Sequence, residues 1–211
     1  MSMKSPPLRE NLVEIGKIDI SNVLNTINDN PQLWEECDYR QKHYNKHEHT
    51  KTIMCVWSGK HSKNEPQLIK YDKTYNMFES FIDEILNKLK AHFNWKKEMV
   101  IYKAMFAKLP AGKNIHPHVD GTRPLRKPHR IHVPILTEDH LIQTKIGGET
   151  YHLKAGTIYD FNNTKRHEVK NESKKDRINF IIDVTEVGTL PKLEKSKISV
   201  VNLKDARVKI L

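Results

Sequence analysis

The second half of the chain consists of short β-type segments that alternate with turns. From about Met99 onward, seven runs are rich in β-branched and aromatic residues: VIYKAMFAKL, RIHVPILT, HLIQTKI, ETYHLK, TIYDFN, HEVKN and RINFIIDV. Turn-forming stretches such as PAGKN, TEDH, GG and NESKKD separate these runs. Strands of this length and spacing are typical of a jelly-roll sandwich or barrel. The sequence therefore predicts a mainly β fold, to which KTIMCVW (51–57) adds one more strand.

Two amphipathic helices are predicted ahead of this β region. Residues 19–30 carry apolar side chains at helical intervals, with Asp19 or Ser21 as the cap and Pro31 at the end. Residues 74–93 carry a longer apolar stripe on one side. Both segments are expected to pack on the sheet as flanking helices.

We expect residues 1–211 to form a single domain, because no Gly/Ser-rich or Pro-rich linker divides the chain. Residues 1–12 are interpreted as a loose arm that contains two prolines, and 51–184 as the part that includes the barrel core. The basic extension 186–211 could pack on the barrel, exchange into a dimer or cover the site.

The net charge of +10 favours anionic partners, which include nucleic acid, an acidic protein and a small carboxylated or phosphorylated substrate. Lysines spread along the whole chain supply most of the charge, which favours a solvated basic surface as its explanation. The two cysteines, the polar start of the chain and the lack of a long apolar run predict a reduced, cytoplasmic protein with no membrane partner.

The stretch HPHVDG (116–121) places His118 and Asp120 on alternate positions. These side chains could be metal ligands or the polar face of an exposed strand. His167 opens a later predicted strand, which in a jelly roll can return beside the turn that carries the first pair. Two histidines and one carboxylate leave three positions open on an octahedral iron, as in non-haem Fe(II) oxygenases. His116 is expected to stay outside this ligand set.

Arg177 begins the strand RINFIIDV, ten residues after His167. A guanidinium inside the barrel can hold the distal carboxylate of 2-oxoglutarate through two parallel hydrogen bonds, which a lysine could not match. The combination of the three candidate ligands with this arginine favours 2-oxoglutarate as a co-substrate.

The segment GTIYDFNNTKRHEVKNESKKDRINFIID (156–183) resembles the signature of the aspartyl/asparaginyl β-hydroxylase-like family of Fe(II)/2-oxoglutarate oxygenases. That signature has a glycine before an aromatic and acidic strand, then His-x-Val-x-Asn, a polar turn, and an arginine that leads an aliphatic strand ending in Asp. LPAGKNIHPHVDG (109–121) resembles the approach to the family's first ligand, and RIHVPI (130–135) resembles its Arg-x-His strand.

The resemblance implies a double-stranded β-helix in which His118 and His167 bind iron and Arg177 holds 2-oxoglutarate. It also implies that Arg130 and His132 line the pocket for carboxylates of the co-substrate or substrate. Asp120 supplies an acidic ligand that the animal peptidyl-aspartyl hydroxylases lack. In this respect the chain is more similar to small microbial members, which include the proline cis-4-hydroxylases.

We therefore expect an enzyme that uses Fe(II), 2-oxoglutarate and O2 to hydroxylate a C–H bond of an amino acid, free or within a peptide or protein, with release of succinate and CO2. Arg123 and Arg126 follow the metal-binding turn and are expected at the rim of the site, where they would meet an anionic group of the substrate. Two alternatives remain: a cupin-type protein that binds a metal and a small ligand without oxygenase chemistry, and a basic nucleic-acid-binding module that uses 122–130.

Overall fold

Two β-sheets form the framework of the fold in the computed structural model, which describes residues 10–38, 40, 42, 48–58, 68–120, 128–138, 140–188 and 198–201. The larger sheet has the strand order β1 (Leu12–Lys17), β9 (Thr157–Phe161), β6 (His129–Leu136), β11 (Arg177–Glu186), β4 (Met99–Leu109), β2 (Lys51–Ser58), β3 (Leu68–Tyr71) and β12 (Ile198–Val201). The smaller sheet has the order β5 (Asn114–His118), β10 (His167–Asn171), β7 (Ile142–Ile146) and β8 (Glu149–Tyr151). The predicted mainly β, jelly-roll fold is confirmed.

Two helices flank the larger sheet, as predicted. They are α1 (Ser21–Asp29), which a short 3-10 turn (Pro31–Trp34) follows, and α2 (Asp72–His92). The second helix starts two residues earlier than its apolar stripe, at Asp72, where an acidic side chain in the first turn interacts favourably with the helix dipole. Among the described residues, neither helix is long and apolar enough to cross a membrane.

Four strands were not among those predicted: β1, β3, β5 and β12. The arm expected over 1–12 gives way to strand β1 at Leu12, and residues 1–9 lie outside the described part of the chain. The strand β5 has mostly exposed side chains, so it lacks the alternation of buried and exposed residues that identifies a strand in sequence. From the C-terminal extension, β12 pairs in parallel with β3 at the edge of the larger sheet.

Successive residues of β11 alternate between two environments. Ile178, Phe180 and Ile182 join the apolar core beneath the helices, together with residues of α1 and α2. Arg177 and Asp183 are buried on the opposite face of the same strand. The larger sheet therefore has an apolar face toward the helices and a partly polar face, which we call the inner face.

The smaller sheet lies against this inner face. Leu109 of β4 packs with Ile142 and Val169 of the smaller sheet, and the ring of Phe161 on β9 meets the ring of His167 on β10 edge to face at 5.0 Å. Polar side chains on the inner face are thus enclosed between the two sheets, where they must find partners or a ligand.

Aromatic packing holds α2 on the larger sheet, and it generates a test of the fold. Phe106 is fully buried, with its ring centroid 4.5 Å from that of Phe78 on α2 and 4.8 Å from that of Phe180. We expect Phe106→Ala to lower the free energy of unfolding by about 3–5 kcal/mol, because the truncation leaves a cavity in a close-packed core. Chemical denaturation monitored by circular dichroism measures the change. As the control, Leu141→Ala removes an apolar side chain that is 46% exposed, and it should change stability by about 0.5 kcal/mol at most. Equal effects of the two variants would contradict this core assignment.

Candidate metal centre

Strand pairing brings His118 and His167 together. The two residues stand directly opposite each other where β5 and β10 pair, and their ring centroids are 4.3 Å apart. Both side chains are buried. The close pair expected from the jelly-roll arrangement is therefore present in the structure.

Each of these histidines is oriented by a backbone carbonyl two residues earlier in the chain. His118 Nδ1 lies 2.7 Å from the carbonyl oxygen of His116, and His167 Nδ1 lies 2.9 Å from that of Lys165. Because a carbonyl oxygen can only accept a hydrogen bond, each Nδ1 carries the proton and each Nε2 keeps its lone pair. Metal-binding histidines are commonly fixed in this way. The side chain of His116 is exposed, and its backbone carbonyl is the group that contacts His118.

Asp120 completes the group. Its Oδ1 lies 3.5 Å from His118 Nε2, and its Oδ2 lies 3.8 Å from His167 Nε2. One ligand atom from each of the three residues lies within 4.8 Å of the others. Adjacent ligands of an octahedral ion are about 3 Å apart when the metal–ligand bonds are about 2.1 Å long. The three ligand atoms would therefore need to move only slightly closer together to bind a metal ion. Two imidazole nitrogens and one carboxylate are a donor set that fits Fe(II).

Arg130 lies between this group and a second carboxylate. It donates from Nε and Nη2 to the two carboxylate oxygens of Asp183, each at 2.6 Å, and its Nη1 contacts Asp120 Oδ2. Arg130 is 5% exposed and Asp183 is 1% exposed. The arginine that was expected to line the pocket thus already has two carboxylate partners, and it ties the candidate ligand Asp120 to the larger sheet.

Lys103 is the other cation that contacts Asp183. Its Nζ lies 3.4 Å from Asp183 Oδ2 and 5.2 Å from the centre of the Trp57 ring. Burial and the charge of Arg130 lower the pKa of Lys103 to about 7, against the opposing effect of Asp183. Burial raises the pKa of Asp183, but the charges of Arg130 and Lys103 outweigh it and hold that pKa well below its usual range.

His132 is buried beside the candidate ligands. Its ring stacks on Phe161 at 4.3 Å, and its Nδ1 lies 3.1 Å from the side-chain amide nitrogen of Asn179. Burial, reinforced by the charges of Arg177 and Arg130, holds the pKa of His132 well below its usual range. The imidazole is therefore neutral at pH 7 and acts as a hydrogen-bonding group rather than as a cation.

Arg177 lies on the inner face with buried polar neighbours. Arg177 Nη2, Asn179 Oδ1 and Thr52 Oγ1 are buried and have no hydrogen-bond partner among the described residues. Asn179 is paired with Ala107, and Ala107 is paired with Thr52, so the two polar side chains lie in one row across the sheet. Burial lowers the pKa of Arg177 to about 10, so the guanidinium remains charged at pH 7. A buried guanidinium with an unused donor fits a bound carboxylate.

The sequence prediction omitted Lys103, Thr52 and Asn179. Alternation along a strand could have indicated one of them, since Asn179 is two residues after Arg177 and must share its face. Lys103 and Thr52 become neighbours of the site only through the pairing of β2, β4 and β11. The predicted rim residues Arg123 and Arg126 lie outside the described residues.

Comparison with known proteins gives one family match and several similar structures. The family model described as aspartyl/asparaginyl beta-hydroxylase matches residues 19–186. No curated protein sequence matches the chain.

Three solved structures are similar in fold. An oxidoreductase of the 2OG-Fe(II) oxygenase family from Burkholderia pseudomallei has a TM-score of 0.53 and 13% identity, covering 66% of this chain and 69% of its own. The viral collagen prolyl hydroxylase of Paramecium Bursaria Chlorella virus-1, in a 2-oxoglutarate complex, has a TM-score of 0.50 and 12% identity, covering 84% and 97%. A prolyl hydroxylase from Trichoplax adhaerens, in complex with a peptide fragment of hypoxia inducible factor, has a TM-score of 0.52 and 11% identity, covering 85% of each chain.

The pairing of Asp183 generates a stability prediction. We expect Asp183→Asn to lower the free energy of unfolding of the metal-free protein by about 3 kcal/mol at pH 7, because it leaves Lys103 without its carboxylate and Arg130 with only one. Since the pKa of Asp183 is lowered in the folded state, its contribution is full above about pH 4, the unfolded value, and is lost as the pH falls through the folded value. Urea titrations at several pH values measure both effects.

The control for this prediction is Glu84→Gln, which breaks an exposed pair with Lys88 on α2. This change should alter the free energy of unfolding by about 0.5 kcal/mol or less. A loss of similar size in both variants would show that the buried pairing of Asp183 has no special weight.

Proposed function

Because the chain belongs to the aspartyl/asparaginyl beta-hydroxylase family, we propose that it hydroxylates a C–H bond of an amino acid, free or within a peptide or protein, using Fe(II), 2-oxoglutarate and O2. Family members are 2-oxoglutarate-dependent hydroxylases. The observation that carries the proposal is the group His118, Asp120 and His167, with its ligand atoms within 4.8 Å, enclosed with a buried arginine on the facing sheet.

The proposed roles follow from what each side chain can do. His118, His167 and Asp120 would hold Fe(II). The hydrogen bonds from the two Nδ1 atoms to backbone carbonyl oxygens would keep both Nε2 lone pairs directed at the metal. Arg177 would bind the distal carboxylate of 2-oxoglutarate, with Thr52 as a neighbouring hydroxyl donor. When bound, iron and 2-oxoglutarate supply the oxidation, in which O2 yields a hydroxylated substrate, succinate and CO2.

The surrounding residues would position the co-substrate and keep water out. Phe161 packs against the rings of both His132 and His167, so it fixes two site imidazoles at once. Met105 and Ile181 are paired neighbours on the inner face, and Met105 is 1% exposed. An apolar wall of this kind excludes water from the reacting groups and strengthens the nearby charge interactions.

The proposed substrate is an amino acid, either free or within a peptide or protein. The similar prolyl hydroxylases include one bound to a peptide, and this supports an amino-acid or peptide substrate for the present chain.

We further propose that residues 1–211 act as one oxygenase domain in the cytoplasm, consistent with the two free cysteines, Cys37 and Cys55. The cupin-type alternative shares the metal ligands but gives Arg177 no co-substrate to bind. The nucleic-acid alternative depends on 122–130, of which only residues 128–130 are described.

The first functional prediction concerns metal binding. His118→Ala and His167→Ala should each abolish binding of Mn(II), a redox-silent substitute for Fe(II), at micromolar metal, because each removes one of three ligands. Asp120→Ala should weaken binding. Calorimetric titration of the purified protein measures the affinities. The matched control is His116→Ala, which removes an exposed histidine two residues from His118 and keeps the backbone carbonyl. If His167→Ala bound Mn(II) as tightly as the parent protein, the ligand assignment would be wrong.

The second functional prediction separates an oxygenase from a cupin-type protein. Addition of 2-oxoglutarate to the anaerobic Fe(II) protein should produce the weak visible charge-transfer band of a bidentate 2-oxo acid. Arg177→Ala should abolish the band at the same 2-oxoglutarate concentration while Mn(II) binding is retained, and Arg177→Lys should restore only part of it. Arg166→Ala is the control, because it removes an exposed arginine next to His167 with the same change in net charge. Absence of the band from the parent protein, with iron bound, would favour the cupin-type alternative.

A further inference from the structure

Asn179 is a polar residue within the aliphatic strand β11, whose sequence begins RINFIIDV, and it is completely buried. Asparagine is rare in strands, and a buried amide is costly unless it forms hydrogen bonds. Among the described residues, the side chain of Asn179 forms one hydrogen bond: its amide nitrogen lies 3.1 Å from His132 Nδ1 on the adjacent strand β6. An apolar side chain would avoid the cost of burial, so this contact is what the asparagine contributes.

The contact fixes the orientation of the His132 ring. The rings of His132 and Phe161 are 4.3 Å apart and nearly parallel, with an angle of 9° between their planes. A half-turn of the imidazole about its bond to Cβ would preserve this stack but would replace Nδ1 by a carbon atom. Only a ring nitrogen can accept the hydrogen of the Asn179 amide. Stacking therefore sets the plane of the ring, and Asn179 sets which edge carries Nε2.

The amide of Asn179 has two orientations of similar shape, with either its nitrogen or its oxygen toward His132. Arg177 lies two residues earlier on the same face, and its Nη2 is buried with no partner among the described residues. A guanidinium has donors only, so a flipped amide would add further N–H groups beside it. The favourable arrangement therefore has Nδ2 at His132 and leaves Oδ1 for donors on the inner face.

The imidazole of His132 then has one position for its proton. Burial, followed by the charges of Arg177, Arg130 and His167, holds the pKa of His132 well below its usual range, against the opposing charge of Asp183. The ring is therefore neutral at pH 7 and carries a single proton. Because Nδ1 accepts the amide hydrogen, that proton lies on Nε2. Within the described part of the chain the amide is the one hydrogen-bond partner of the ring, so the Nε2–H group is available to a ligand.

We infer that Asn179 is a positioning residue, which donates to Nδ1 of His132 and thereby makes His132 Nε2–H a neutral, fixed hydrogen-bond donor to 2-oxoglutarate. The inference rests on the proposed function, because it takes 2-oxoglutarate as the ligand. The oxygen atoms of 2-oxoglutarate only accept hydrogen bonds, so a lone pair on Nε2 would repel them. An imidazolium would add another buried cation beside Arg177 and Arg130. A neutral N–H group provides the hydrogen bond without either cost.

The first measurement determines the position of the proton in the metal-free protein. With isotope-labelled histidine, long-range proton–nitrogen NMR correlations distinguish protonated from unprotonated ring nitrogens, and the spectrum of His132→Phe assigns the His132 signals. The parent protein should have a protonated Nε2 and an unprotonated Nδ1 between about pH 6 and pH 8. Asn179→Asp replaces the donor by an acceptor and should place a proton on Nδ1. Asn179→Leu removes the donor without adding charge, so its signals should be averaged between the two tautomers.

The second measurement is the affinity of the Mn(II)-loaded protein for 2-oxoglutarate, determined by calorimetric titration. Asn179→Asp should weaken binding about tenfold or more and Asn179→Leu about threefold or more, while the affinity for Mn(II) stays within about twofold of the parent value. A merely structural role would change both affinities together. The control is Asn114→Asp, which makes the same amide-to-carboxylate change at an exposed position of β5. It should leave the His132 tautomer and the affinity for 2-oxoglutarate unchanged.

The outcomes separate the inference from the proposed function. If the parent protein binds 2-oxoglutarate but carries its proton on His132 Nδ1, the inference is overturned and the proposed function stands. The same conclusion follows if Asn179→Leu keeps either the parent tautomer or the parent affinity for 2-oxoglutarate. If the parent has the Nε2–H tautomer and binds Mn(II) but not 2-oxoglutarate, the proposed function fails and the role of His132 toward the co-substrate fails with it. If Asn179→Leu does not fold, the parent spectrum and Asn179→Asp decide between these results.

Discussion

The buried guanidinium of Arg130 is the interaction on which the site depends. It uses three nitrogens on two carboxylates, Asp183 on the larger sheet and Asp120 beside the histidines of the smaller sheet. A buried charge is tolerated only when it is paired with good geometry, and the fork of an arginine can serve two acidic partners at once. The same contacts therefore neutralise charge and fix the distance between the two sheets.

The two faces of the larger sheet have different roles: the face under the helices forms the apolar core, and the inner face carries residues of the site. The aliphatic and aromatic residues under α1 and α2 supply most of the apolar burial and hold the strands in register. Because strand residues alternate, that register also decides which side chains enter the inner face. Arg177, Asn179 and Asp183 reach the site because Ile178, Phe180 and Ile182 are held in the core.

The sequence predicted what depends on local pattern. Runs with β-branched and aromatic residues identified the central strands, and the residue types at His118, Asp120 and His167 identified the candidate ligands. Lys103 could not be predicted in this way, because nothing near it in the chain distinguishes it from other lysines. Its partner Asp183 is reached only through the pairing of β4 with β11. The strands β1, β3, β5 and β12 were missed because strands with little burial, or with few residues, carry a weak periodic signal.

The candidate metal centre depends on the register of β5, which lies at the edge of the smaller sheet. Among the described strands, β5 pairs only with β10. Its side chains are mostly exposed, and Pro117 lacks a backbone donor. Strands without a strong hydrophobic pattern are prone to slide, and a slide of one residue turns every side chain to the opposite face. Such a slide would turn both His118 and Asp120 away from His167. A metal ion bound by residues of both strands would stabilise one register of β5 on β10. That register is the one that brings the ligands of the candidate metal centre together.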